Sequence, residues 1–182
     1  MKGVVFTEFL EFVESAMGAD TVDAIIAECE LSTGGAYTAV GTYPFQEMQD
    51  LLMALSKRSQ TPPADLLRAF GAYLCTRFVA GYPEFFRRAG SLFKLLASVD
   101  HHIHVEVRKL YPDAELPSLE VVENRPERFV MNYRSTRGLE ALAEGLIDAS
   151  ARHFKEPVYL KSERTTDEQG DLVRFTITRR AA

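Results

Sequence analysis

Two cysteines, Cys29 and Cys75, are all that the 182-residue sequence contains, and they lie far apart. Isolated thiols exclude a disulfide framework and a Cys-x-x-Cys metal site, and they suit a reducing compartment. No apolar run reaches the roughly 18 residues that a membrane-spanning helix needs. The N-terminus does not read as a signal peptide either, because Glu8, Glu11 and Glu14 break its apolar stretch. Basic residues are scattered or paired, as in Arg87-Arg88 and Arg179-Arg180, and form no polybasic tract. With a net charge of −5, nucleic acid and anionic membrane surfaces are not expected partners. Internal repeats and low-complexity segments are missing. The expectation is a cytoplasmic protein.

What is present is ordinary globular material, 46% hydrophobic and 26% charged, enough for one domain with a sizeable core. The first two-thirds carry helical periodicity. Residues 4–17 place Val5, Phe9, Phe12 and Val13 on one face, and Gly18 ends the helix. A second helix runs from Thr21 to Glu30, stopped by Ser32-Thr33-Gly34-Gly35. Residues 37–43 read as irregular linking chain, and Phe45–Ser56 as a third helix. Thr61-Pro62-Pro63 is the clearest breaker, and a subdomain boundary is expected there, dividing 1–62 from 63–182. Beyond it, Asp65–Ala80 carry a stripe of Leu67, Phe70, Leu74 and Phe78, Glu84–Arg88 form a short turn, and Ser91–Leu110 a long helix. After Pro112 and Pro117 the period changes to two. Leu119–Asn124 and Arg128–Ser135 read as strands, Leu139–Phe154 as a helix, and Val158–Arg164 with Asp171–Arg180 as a closing hairpin. The fold class is α+β: an N-terminal helical subdomain, then helices packed on a small antiparallel sheet.

His101, His102 and His104 cluster on the long helix. At about 100° per residue, the buried stripe would be Leu92, Leu96, Val99, Ile103, Val107 and Leu110. His101 then falls opposite the stripe beside Lys94 and Arg108, and His102 on a polar flank with Ser98 and Lys109. His104 falls on the apolar flank with Phe93, Ala97 and Tyr111, the one place where a flat hydrophobic ligand could lie against the helix. Such a histidine, taken alone, is more often a hydrogen-bonded core residue than a ligand. Zinc readings fail, since His101 and His104 have no acidic or cysteine partner at a recognised interval. Asp100-His101-His102 matches a tripeptide of certain metallophosphoesterases, whose other metal motifs are missing. No nucleophile–base pair for a hydrolase is found.

If 128–135 is extended, Tyr133 and Ser135 share a face, and Arg137 follows if the backbone stays extended. Two hydroxyls and a planar guanidinium suit carboxylates, although a solvated strand end is the ordinary meaning of such a pattern.

Taken together, Ile103-His104 and Tyr133-x-Ser135-x-Arg137 resemble the H-NOX family, the haem nitric oxide/oxygen binding domains. The opening Met-Lys-Gly-Val-Val, the Phe70-Gly71 pair and the run Leu110-Tyr111-Pro112 are also similar to bacterial members, so the likeness covers the whole chain. The resemblance implies non-covalent haem b with His104 as iron ligand and Tyr133, Ser135 and Arg137 holding the propionates. Pro117 matches a proline that packs on and distorts the haem. Val5, Phe9, Leu74, Phe78, Leu142 and Leu146 would line the distal side. Family members that hold dioxygen carry a tyrosine where this chain has Leu142, and Tyr73, one position off the helical stripe, is expected to face elsewhere. The implied function is a nitric oxide sensor, not an enzyme, with carbon monoxide as a laboratory ligand. Its signal would pass to a separate partner such as a histidine kinase or diguanylate cyclase. The cysteine-rich zinc site of some relatives is missing, because no cysteine follows Cys75. Alternative functions are a dioxygen-binding or redox haem protein on the same scaffold, and a haem-free ligand-binding adaptor.

Overall fold

Helix α1 (Gly3–Met17) carries its aromatic residues inward, and Phe6, Phe9 and Val13 are fully buried. The stripe is rotated from the sequence expectation. Phe6 takes the central place and Val5 is half-buried, because Phe6 stacks on Tyr37 at 4.4 Å and meets Tyr43 edge-on at 5.6 Å. The irregular segment 37–43 thereby caps this face. Helices α2 (Ala19–Ala27) and α3 (Phe45–Ser59) add Ile25, Met48, Leu51 and Leu55. Between them the segment 31–37 is ordered by Glu47, which is only 4% exposed. Its carboxylate accepts from Ser32 N–H (3.1 Å), Ser32 Oγ, Thr33 Oγ1 (3.0 Å) and Tyr37 OH (2.7 Å). A buried carboxylate supplied with this many donors keeps its charge.

The same apolar cluster continues past Pro62 into α4 (Pro63–Gly81) through Leu66, Leu67, Phe70 and Leu74. Short α5 (Pro83–Ala89) follows, then α6 (Leu92–Ser98). The coordinates, a computed structural model, describe residues 1–180. No helix among them is long and apolar enough to cross a membrane.

The expected long helix over 91–110 is a correction. A π-helical turn, Val99–Ile103, separates α6 from α7 (His104–Leu110). Here the His104 N–H bonds to the Val99 carbonyl, five residues back instead of four. The wider turn absorbs one extra residue and shifts the helical phase by one position.

Four antiparallel strands, β1 (Ser118–Arg125), β2 (Arg128–Arg134), β3 (Val158–Asp167) and β4 (Gly170–Arg179), form one sheet in the order β1-β2-β4-β3. The two hairpins are joined by β2–β4 pairing, with Tyr133 opposite Val173 and Met131 opposite Phe175. Helix α8 (Glu140–His153) lies between sheet and helices. Its Ile147 and Ala151 pack with Phe129, Met131, Tyr133 and Phe175 of the sheet and with Leu92, Phe93 and Leu96 of α6. Against α4 it crosses at backbone contact. A Cβ at Gly71 would lie 2.3 Å from the Leu142 carbonyl oxygen, and one at Gly145 2.1 Å from that of Arg68. Only glycine permits this approach. The class is α+β, helices first and sheet after.

Candidate functional site

His104 is the single buried residue between Val99 and Leu110; His101 and His102 are exposed, and Leu110 is 68% exposed. The π turn explains this. Adding one residue of phase to the buried face of α6 puts His104 where an unbroken helix would have put Ile103. The sequence expectation of a flanking position is corrected accordingly: His104 stands at the centre of the inward face.

Its ring makes one side-chain hydrogen bond among the described residues, between Nδ1 and Asp100 Oδ1 at 3.3 Å. A carboxylate at Nδ1 selects the tautomer with the proton there and leaves the Nε2 lone pair available. Burial holds the imidazole below its ordinary pKa, while Asp100 pulls it upward and Arg108 adds to the lowering. The neutral form that a metal requires is therefore the prevailing one near pH 7. In the sequence Asp100 stands out only within Asp100-His101-His102, although an acidic residue four positions before His104 is itself the mark of such a partner.

Tyr133 sits at the end of β2 with its ring edge-on to Phe175 at 5.8 Å, on the sheet face that packs against α6 and α8. Burial raises its pKa, and the Ser135 hydroxyl beside it works the other way, so the phenol remains a proton donor. The expectation that the strand continues to Arg137 is corrected: β2 ends at Arg134 and the chain turns at Thr136-Arg137. Ser135 Oγ accepts the Arg137 N–H at 3.2 Å within this turn. Two features follow: Tyr133 and Ser135 are neighbours, and Arg137 approaches through a turn instead of by alternation.

Arg137 already grips a carboxylate. Nη1 donates to the Glu115 carbonyl at 2.7 Å and Nη2 to the Glu115 side chain, with the guanidinium 5.8 Å from the Phe45 ring centre. The Arg137 side chain is 15% exposed and that of Glu115 is 78% exposed. Exchanging Glu115 for another carboxylate would displace only a solvated side chain. Pro117, two residues on, is half-buried at the start of β1.

Val5, Leu142 and Leu146 pack on the cluster that contains Phe9 and Leu74. Leu146 also packs on the smaller cluster that holds Ile103, adjacent to His104. Phe78 lies at the end of α4, 37% exposed, against Tyr82. The Tyr73 hydroxyl donates to Glu11 at 3.4 Å and its ring lies against Phe12, away from Leu74. The five residues Val5, Phe9, Leu74, Leu142 and Leu146 present no side-chain hydrogen-bond donor.

No group of three or more His, Cys, Asp or Glu among the described residues could hold a metal ion. A lone, buried, neutral imidazole suits an iron whose other ligands come from a macrocycle. The donors Tyr133, Ser135 and Arg137 suit that macrocycle's two carboxylates. The donor set fits haem. Cys29 and Cys75 lie elsewhere, and burial raises the pKa of both thiols, as expected of unreactive small hydrophobes.

Comparison with known proteins finds haem-binding relatives. The family model described as Haem-NO-binding matches residues 2–162. The curated "Soluble guanylate cyclase 89Db" of Drosophila melanogaster is 27% identical over 160 residues, 85% of this chain. The match spans only 23% of that relative's length. The crystal structure of the Fe(II) unliganded H-NOX protein from K. algicida is 38% identical, covering 100% of this chain and 98% of that one, with a TM-score of 0.92. The solution structure of the H-NOX from Shewanella woodyi, bound to IWP-051 in the Fe(II)CO state, is 38% identical with a TM-score of 0.83. It covers 99% of this chain and 95% of that one.

Proposed function

The chain belongs to the haem-NO-binding (H-NOX) family, and from that premise we propose that it is a haem-based sensor that takes up nitric oxide and reports it to a separate protein. The observation that carries this reading is His104, buried alone in its segment, with Nδ1 engaged by Asp100 and Nε2 available.

Haem b, held non-covalently, would supply a ferrous iron as the centre that takes up nitric oxide. The chain's residues do the rest. His104 would hold the iron through Nε2, and Tyr133, Ser135 and Arg137 would hold the propionates. Pro117, in the segment after α7, would pack against the bound group. Val5, Phe9, Leu74, Leu142 and Leu146 would exclude water from the gas side, whereas Phe78, expected there from the sequence, is exposed at the end of α4 and shields nothing. With Leu142 where a tyrosine would donate, nothing there stabilises the negative charge that dioxygen acquires. Nitric oxide and, in the laboratory, carbon monoxide are therefore the expected ligands, and dioxygen is not.

With His104 no longer held, α7 and the π turn behind it would be free to move. Ligand binding acts as a switch only by favouring one of two protein arrangements. Those arrangements are proposed to differ in how residues 1–62 sit against residues 63–180. The output is proposed to be a histidine kinase or a diguanylate cyclase.

An absorption spectrum of the reduced protein with and without nitric oxide tests the reading. The expected result is a Soret band that moves to a five-coordinate position. Protein that stays colourless after expression with ample haem would overturn it. So would a spectrum unchanged in His104→Gly. Partner activity with His104→Gly should match that of the nitric oxide-bound form; equality with the unliganded form would refute the coupling.

A further inference from the structure

Asp100 stands inside the π turn, one residue after Val99, whose carbonyl takes the His104 N–H. Its Oδ1 lies 3.3 Å from His104 Nδ1, and its side chain is 29% exposed against 11% for the histidine. Among the described residues its carboxylate has no other side-chain partner. Arg108, whose charge acts on the imidazole, forms no ion pair with Asp100. An acceptor with a full negative charge and no competing cation polarises an N–H more than a carbonyl does. Partners of this kind fix the orientation and raise the basicity of a metal-bound imidazole.

We propose that Asp100 is a positioning residue that sets the strength of the His104–iron bond, and so sets how readily nitric oxide breaks it. This inference rests on haem ligation by His104. The carboxylate draws the Nδ1 proton toward itself and leaves Nε2 a stronger donor than an imidazole bonded to a neutral group. The 3.3 Å separation is longer than that of a tight charge-assisted bond, so the strengthening is partial and bond cleavage stays accessible. The π turn belongs to the device. It brings His104 to the centre of the inward face and keeps Asp100 one turn away at the edge of solvent. The two are therefore locked together as His104 turns inward.

The test is the iron–histidine stretching band in resonance Raman spectra of the ferrous haem-loaded protein. In Asp100→Asn the band should fall in frequency, and haem should be lost to an acceptor protein about tenfold faster. The five-coordinate share at limiting nitric oxide should rise. Asp100→Glu, which keeps the charge, should retain a band near the wild-type position. Should Asp100→Asn fold but load no haem, with loading restored in Asp100→Glu, the assignment is likewise supported. A band that stays put in Asp100→Asn, or falls equally in both variants, overturns it while leaving His104 as ligand. A wild-type band that survives in His104→Gly would instead refute the haem ligation on which the inference stands.

Discussion

Lys2 and Asp113, 111 positions apart in sequence, meet at 3.2 Å. The same carboxylate accepts from Thr42 Oγ1 at 2.7 Å, and the Lys2 ammonium also donates to Thr42 Oγ1 and lies 4.9 Å from the centre of the Tyr111 ring. A closed polar knot thus ties the first residues of the chain to the segment between α7 and Pro117. That segment connects the helix bearing His104 to the strand pair that carries Tyr133. Any relative movement of the N-terminal helices must strain or open this knot.

Asp113→Asn should loosen the knot without unfolding the protein. The pair is partly exposed, and such ion pairs contribute little to global stability. Hydrogen exchange should quicken at residues 1–5 and 41–43 while the unfolding midpoint barely moves. Thr42 and Lys2 hold the Asp113 carboxyl below its ordinary value of 3.8. For a carboxyl depressed on folding, the contribution is complete above the ordinary value and disappears as pH falls through the folded one. Acidification in that range should therefore reproduce the exchange pattern of the variant, and unchanged exchange in Asp113→Asn would refute the tie.

Glu47→Gln should cost global stability, because the amide cannot accept at both of its ends. Burial pushes the Glu47 carboxyl up, but the bonds from Ser32, Tyr37 and Thr33 outweigh it and leave the pKa below 4.5. Loss of charge-assisted bonds of this kind costs about 2 kcal/mol, a fall of roughly 4–8 °C in melting temperature for a chain of this size. The wild-type advantage should be full above pH 4.5 and vanish as pH falls through the lower folded value. Thermal melts of both proteins across that range check the sign. A difference that grows on acidification would contradict it.

Composition and periodicity made the order of helices and strands readable, because amphipathic faces repeat with the period of the element that buries them. The identities at Ile103-His104 and Tyr133-x-Ser135-x-Arg137 carried the site. Four features stayed hidden for physical reasons. The π turn leaves no compositional mark, since Val99-Asp100-His101-His102-Ile103 suits an α-helix equally well. The turn at Thr136-Arg137 depends on Ser135 accepting a backbone N–H, which competes with strand extension through a bond no pattern displays. Phe6 displaced Val5 because Tyr37 and Tyr43, from irregular chain, cover it. Glycine at 71 and 145 was legible as two residues but not as one contact between helices, which only tertiary structure reveals.

Gly145→Ala should strain the α4–α8 crossing. The new methyl would meet the Arg68 carbonyl at 2.1 Å, a backbone atom that cannot rotate away. Overpacking of this sort costs about 1–3 kcal/mol, and the helices must part to relieve it. Because Leu142 and Leu146 flank Gly145 on α8, separation would also loosen the wall next to Leu74. A melting temperature below wild type with helical circular dichroism retained is expected; an unchanged melt would mean that the crossing accommodates a side chain.

Leu142→Tyr tests why dioxygen is not expected. Leu142 packs on the cluster of Phe9 and Leu74, and its carbonyl lies against Gly71, so the position on α8 is fixed by backbone contact. A tyrosine there would introduce a hydroxyl into a wall that has no side-chain donor. A distal donor stabilises the superoxide-like charge of bound dioxygen, whereas nitric oxide depends on it far less. The variant, reduced and opened to air, should acquire a lasting dioxygen spectrum, and Leu142→Phe should not. Phenylalanine matches the bulk and lacks only the hydroxyl, so the pair separates hydrogen bonding from crowding. If both variants keep dioxygen, or neither does, polarity at 142 is not what decides which gas stays. The selectivity would then have to come from the strength of the His104 bond on the other side.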